Sequence, residues 1–171
     1  QGHPYSHNAN AAIRKSLWEE HPYNEALTGL EDLAWSSWAM EEGYSIAYVA
    51  DAEIIHAHDE KPAQVHNRYR REAIAMKAIL PKSTFSLWNF LRLWLSSTYS
   101  DLVQAKREKV LKENSWSIFW FRFLQYLGTY QGYNYSGQID AQLHQGFYYP
   151  PGILSEKTPA PRTVEPIAYE N

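Results

Sequence analysis

Two long segments in the second half of the chain carry apolar residues at helical spacing. Residues 84–112 predict one long helix or two, and residues 115–130 predict another. Both are typical of amphipathic helices, and their aromatic rings with flanking lysine and arginine also suit a helix that lies on a membrane surface. Their apolar positions are Leu87, Phe90, Leu91, Trp94, Leu95, Trp116, Phe119, Trp120, Phe123, Leu124 and Leu127.

A shorter helix is predicted between two prolines. Pro62 suits the first helical position, because the N–H that proline lacks has no partner within the helix there, and Pro81 ends the helix. Arg68, Arg71 and Lys77 lie away from the predicted buried stripe. That stripe consists of Val65, Tyr69, Ala73, Met76 and Leu80.

The first third of the chain combines helix and strand signals. Glu31 and Asp32 open a predicted helix, since the first turn of a helix favours negative charge, and Gly43 stands where a left-handed cap is expected. In residues 44–49 larger apolar side chains alternate with smaller ones, as in a half-buried strand, and residues 52–58 continue as a second extended segment. The pattern predicts an α/β fold for this part of the chain.

Residues 8–18 predict a short strand that turns into a helix. Asn8 or Asn10 is the expected cap of that helix, since a short side-chain oxygen accepts a hydrogen bond from an unpaired backbone N–H. The small residues of this segment also allow a ligand or another chain to approach closely. A capped surface helix and a ligand-contacting segment both remain open.

Composition limits the classes of function. A chain of 171 residues, 44% of them apolar, forms one domain with a real core, and its net charge of -3 gives no basic field for nucleic acid. With no cysteine, disulfides and thiolate metal sites are excluded. From residue 149 onward, prolines among polar residues predict an extended or disordered tail.

The order of acid pair, amphipathic helix, strand and paired histidines is distinctive as a set. Glu31-Asp32, Gly43, and His56 with His58 resemble the second half of the catalytic domain of family 2 glycosyltransferases, particularly the rhamnosyltransferase-like bacterial members. The resemblance covers about residues 5–80. It implies a partial GT-A fold that lacks the N-terminal donor half and is followed by amphipathic helices.

Three regions follow from this resemblance. Residues 1–82 are expected to be the acceptor-side half of a GT-A catalytic domain. Residues 83–148 are expected to be an aromatic-rich helical extension, and residues 149–171 the Pro-rich tail. The chain contains no Asp-x-Asp and no Gly-rich phosphate loop, so we expect the isolated chain to be inactive.

The resemblance also implies a reaction and its residues. An inverting glycosyltransferase would transfer sugar from a nucleotide-sugar donor to a glycan or lipid-linked acceptor, with Asp32 as the general base. Glu31 would contact the acceptor or hold the helix start. Asn8, Asn10 and Trp35 would border the acceptor.

A divalent cation, Mn²⁺ or Mg²⁺, is expected to stabilise the leaving diphosphate. His56 and His58 share one face of the second extended segment and are the candidate ligands here, with most ligands in the missing half. Arg68 and Arg71 lie three residues apart on one helix face and are candidate diphosphate contacts. A solvated basic face is the alternative for these two arginines.

Two other functions are consistent with the residues. One is a non-catalytic glycan-, membrane- or protein-binding module formed by the aromatic helices. The other is a small metal-dependent hydrolase that uses Asp32, His56, His58 and Asp59. The expected location is the cytoplasm, with peripheral contact to the inner face of the membrane as a further option.

Overall fold

The structure, a computed structural model, describes residues 6–55 and 60–148, and every regular element in these ranges is helical. One compact unit ends at Ile139, and a second begins at Asp140. The elements are a 3₁₀ helix at Asn8–Asn10 followed by α1 (Lys15–Glu20), α2 (Glu31–Glu41), α3 (Pro62–Ile79), α4 (Leu87–Arg107), α5 (Leu111–Tyr133) and α6 (Ala141–Tyr148).

The prediction of strands is wrong for the described residues 44–55. A strand requires a neighbouring backbone to pair with, and this segment has none there: its backbone bonds are a helix-cap bond at Tyr44 and a turn bond from Ala52 to Val49. Its apolar side chains therefore stay in solvent, with Tyr48 90% and Ile55 99% exposed. The residues of this segment favour β structure, but that preference alone does not provide a neighbouring strand.

The end of α2 is formed as predicted. Gly43 has a φ of 86°, and its N–H donates to the carbonyl of Met40 at 3.1 Å. The next N–H, on Tyr44, donates to the carbonyl of Ala39 at 2.9 Å. This pair of bonds is a Schellman cap, which requires the left-handed conformation that glycine adopts without strain.

The two prolines bound α3 as predicted. Pro62 is its first residue, and the helix ends at Ile79, two residues before Pro81. The buried face differs from the predicted stripe: Leu80 is exposed beyond the helix end, and Tyr69 and Met76 are only partly buried. The buried residues of α3 are Val65, Ala73, Ile74 and Ala75.

Small residues on α5 explain why small residues of α3 are buried. Gly128 and Gly132 lie one turn apart and contact the α3 backbone, so that a β-carbon at Gly128 would lie 2.5 Å from the carbonyl oxygen of His66. A β-carbon at Gly132 would lie 2.6 Å from the Cβ of Ala73. This close approach makes α3 and α5 the main helix pair of the first unit. The pair joins segments on both sides of the domain boundary predicted at residue 82.

Aromatic rings and an ion pair join α4 to α5. The Trp94 ring meets those of Phe119 and Phe123 edge-on, with centroids 5.3 and 5.2 Å apart. The Arg122 guanidinium donates to both carboxylate oxygens of Asp101, at 2.6 and 3.1 Å. Of the predicted segment 84–112, α4 is one continuous helix that ends at Arg107, and the last two residues belong to α5.

The predicted helix cap near the N-terminus is wrong. Neither Asn8 nor Asn10 caps α1, whose first residue follows Arg14 without a side-chain cap bond. Both asparagines belong instead to the short 3₁₀ helix, which His7 caps by accepting the N–H of Ala9 at 3.1 Å. The asparagine side chains are thus available for contacts distant in sequence.

Candidate functional site

The acid pair forms the first two residues of α2 and directly follows a residue with a strained backbone. Leu30, just before Glu31, has φ 57° and ψ 27°, the left-handed conformation that residues with a β-carbon rarely adopt. Holding it costs about 1–2 kcal/mol. Strain of this kind is concentrated at functional sites, where the surrounding structure maintains it.

Asn8 bridges the two acids. Its backbone N–H donates to Oδ2 of Asp32 at 2.9 Å, and its side-chain Nδ2 donates to Oε1 of Glu31 at 3.3 Å. The residues are 23 and 24 positions apart in sequence, so the fold, and not local spacing, brings them together. Three of the residues implied by the family resemblance therefore meet at one place.

Tyr23 belongs to the same group and was not predicted. Its hydroxyl donates to Oδ1 of Asn8 at 2.8 Å. Partial burial, and then the charges of Asp32 and Glu31, raise the pKa of Tyr23 above its usual value. The phenol therefore stays protonated at neutral pH and keeps its role as a donor.

Trp35 supplies the apolar side of the group. It is buried one turn after Asp32, and its indole Nε1–H donates to the carbonyl of His21 at 2.6 Å. Its ring meets the Tyr23 ring edge-on at 6.3 Å. We call Asn8, Tyr23, Glu31, Asp32 and Trp35 the acid-pair cluster: two carboxylates and a phenol beside an aromatic wall.

The Trp35 hydrogen bond gives a test of how the cluster is held. Trp35→Phe keeps a ring against Tyr23 but removes the donor to His21, so the free energy of unfolding should fall by about 1 kcal/mol in urea unfolding. Trp18→Phe on α1 is the matched control, because Trp18 is 45% exposed and its replacement should change little. Equal stability of Trp35→Phe and wild type would show that the hydrogen bond does not fix the cluster.

Asn10, which was also predicted to border the sugar acceptor, makes a different contact. Its side-chain Nδ2 donates to the carbonyl of Ala52. This bond fastens the 3₁₀ helix to the exposed segment 44–55. Asn10 thus fixes the position of the segment that carries Asn8, two residues earlier.

Arg71 lies beside the loop that leads to the acids. Thr28, whose side chain is fully buried, donates its hydroxyl to the backbone carbonyl of Arg71 at 2.9 Å. The Nε of Arg71 lies 3.5 Å from the point where a β-carbon on Gly29 would stand. The Arg71 side chain therefore lies beside Gly29, which precedes Glu31 by two positions in the chain.

Arg68 is engaged elsewhere. Its Nε and NH2 groups donate to the Glu60 carboxylate at 2.8–3.0 Å, and both side chains are mostly buried. Burial lowers the pKa of the guanidinium, but hydrogen bonding and charge from Glu60 outweigh it and raise the pKa. A diphosphate could bind the Arg68 guanidinium only by displacing the Glu60 carboxylate. The predicted contact between Arg68 and the diphosphate stays a prediction.

The predicted metal ligands His56 and His58 lie outside the described residues, as does Asp59. Within residues 6–55 and 60–148, no three histidine, aspartate or glutamate side chains are grouped closely enough to hold a metal ion. The divalent cation and its histidine ligands therefore stay predictions.

Comparisons with known proteins found no match. No family model fits the chain, and neither a curated protein nor a solved structure matches it. In the described part of the chain, no helix has both the length and the apolar character needed to cross a membrane.

Proposed function

We propose that this chain is the acceptor-side part of a nucleotide-sugar-dependent glycosyltransferase, with Asp32 as the general base. The observation that supports this most is the bridge from Asn8 to both carboxylates at the strained start of α2. An unstrained surface helix with two favourable N-terminal acids would need neither Leu30 in a left-handed conformation nor a distant asparagine. The bridge holds the pair in one orientation.

The carboxylate of Asp32 keeps room for a substrate hydroxyl. Oδ2 accepts the backbone N–H of Asn8, and Oδ1 accepts the N–H of Leu33 at 2.8 Å. A carboxylate has about four lone-pair positions, so each oxygen retains one that can accept a further hydrogen bond. An acceptor hydroxyl bound there has a base within hydrogen-bond reach, which is the first requirement of general base catalysis.

The proposed reaction is a single displacement. The acceptor oxygen forms a bond to the anomeric carbon while the bond from that carbon to the nucleotide diphosphate breaks, and the hydroxyl proton passes to Asp32. The diphosphate departs with the bonding electrons. Arg71 lies beside the loop before the acids, and we assign it to bind the negative charge of the diphosphate.

The resemblance also implies that residues 44–55 would form strands of a GT-A sheet when paired with a donor half. Two features support this finer proposal. In residues 44–49 larger apolar side chains alternate with smaller ones. The large apolar side chains of the segment are exposed, and its backbone has almost no hydrogen bonds of its own. Strands from a donor half would supply both the missing partners and the missing apolar cover.

The test is a transfer assay on the protein encoded by the whole open reading frame that contains this sequence. The purified protein is incubated with radiolabelled uridine-, thymidine- and guanosine-diphosphate sugars and with glycolipid extract as acceptor. We expect label to move from one donor into the glycolipid fraction. No transfer from any donor, with binding of oligosaccharide retained, would replace the proposal with a binding module.

A further inference from the structure

A continuous apolar face on α4 is exposed to solvent. Trp88, Leu91, Leu95 and Tyr99 are spaced three or four residues apart, so they lie on one side of the helix. Their exposed fractions are 70%, 36%, 60% and 71%. We call these four residues the α4 apolar face.

The helix uses a different side for packing within the fold. Phe90 and Trp94 point toward α5, where Phe90 lies 5.9 Å from the ring of Phe123. Thr98 and Ala105 are also buried on that side. The α4 apolar face is thus extra apolar surface that the α4–α5 pairing does not require.

The charges on α4 are predominantly positive. Arg92 and Lys106 fall on the same side as the apolar face by helical spacing, and Arg107 follows. Asp101 is the single acid of α4, and it is held by Arg122 in a bidentate ion pair. A helix with this basic surplus stands out in a chain whose net charge is -3.

We propose that the α4 apolar face docks on an anionic lipid surface, with α4 lying in the plane of the membrane. Trp88 and Tyr99 have the amphipathic rings that favour the headgroup level, and Leu91 and Leu95 supply apolar contact below it. Arg92 and Lys106 extend their apolar stems along the surface and place their charges among lipid phosphates. This proposal is independent of glycosyl transfer.

A second copy of the chain fits this face less well. Pairing two α4 faces would bring Arg92 and Lys106 of both copies together, and the one acid on the helix already pairs with Arg122. Like charges of this kind disfavour the interface unless a partner supplies anions. Lipid phosphates supply them.

The test is co-sedimentation of the chain with vesicles. We expect binding to vesicles of phosphatidylglycerol and phosphatidylcholine in equal amounts, and about tenfold weaker binding to phosphatidylcholine alone. Leu95→Glu should lower the partition coefficient roughly tenfold or more, because it places a charge within the apolar contact. Arg92→Gln should weaken binding to the anionic vesicles only.

Trp18→Glu is the matched control, since it adds the same charge at an exposed tryptophan on α1. It should bind within about twofold of wild type. The melting temperatures of Leu95→Glu and Trp18→Glu, followed by circular dichroism, verify that both are folded. No binding to anionic vesicles, an equal loss in both variants, or a dimer that Leu95→Glu dissociates without any change in vesicle binding would overturn the proposal.

Discussion

Asp32→Asn is expected to lower the rate of sugar transfer by about 10²–10⁴-fold, the usual contribution of a positioned general base. Asparagine has nearly the same shape, and its amide oxygen can accept the N–H of Asn8, although its amide nitrogen cannot accept the N–H of Leu33. The bond to Asn8 should therefore be kept while the capacity to take a proton is lost. The measurement is the initial transfer rate, at saturating donor, of the protein encoded by the whole open reading frame.

Two further variants distinguish loss of the proposed base from loss of a negative charge elsewhere. Glu31→Gln should reduce the rate less, because Glu31 holds the side chain of Asn8 and is not assigned the proton. Asp51→Asn removes a carboxylate from an exposed turn and should leave the rate unchanged. A rate for Asp32→Asn equal to that of wild type would exclude Asp32 as the base.

Gly132→Ala is expected to destabilise the fold by about 1–3 kcal/mol, the range for overpacking a well-filled interface. The added β-carbon would overlap the backbone carbonyl of Arg70 and lie 2.6 Å from the Cβ of Ala73. Because one of these atoms belongs to the α3 backbone, a side-chain rotation does not relieve the overlap. The helices must move apart, and urea unfolding measures the cost.

The control for this variant is Gly146→Ala in α6. A β-carbon at Gly146 meets no atom within 4 Å, so the change should leave stability equal to wild type or raise it by about 0.5–1 kcal/mol. If Gly132→Ala unfolds at the same urea concentration as wild type, the close α3–α5 contact does not stabilise this protein.

Local sequence signals predicted much of the helical architecture. Pro62 and Pro81 bound α3, Gly43 caps α2, and the apolar period located α4 and α5. Each of these signals acts within a few residues of the feature that it predicts. That is why they could be interpreted without knowledge of the fold.

The prediction of strands was wrong because strand formation depends on residues that are distant in sequence. Alternation in residues 44–49 shows which side chains favour a sheet, whereas a strand also needs a distant backbone. The Gly128 and Gly132 pair was missed because the apolar period was counted on large residues, although glycines four apart are a recognisable signal of close helix contact.

The acid-pair cluster was predicted only in part. Glu31, Asp32 and Asn8 were selected from the order of motifs, and the structure joins them by hydrogen bonds. Tyr23 was interpreted only as part of a turn, since no spacing rule connects it to Asn8. Contacts across 15 to 24 residues depend on loop paths that a periodic pattern does not record.

The most direct measurement is an NMR titration of the ¹⁵N-labelled chain with rhamnose-, glucose- and galactose-containing oligosaccharides. Each of its seven tryptophans carries one indole N–H, which serves as a local probe. We expect an acceptor to shift the signals of Trp35 and Asn8 and to leave those of Trp116 and Trp120 in place. Shifts confined to Trp116 and Trp120, or none with any sugar, would contradict an acceptor site at the start of α2.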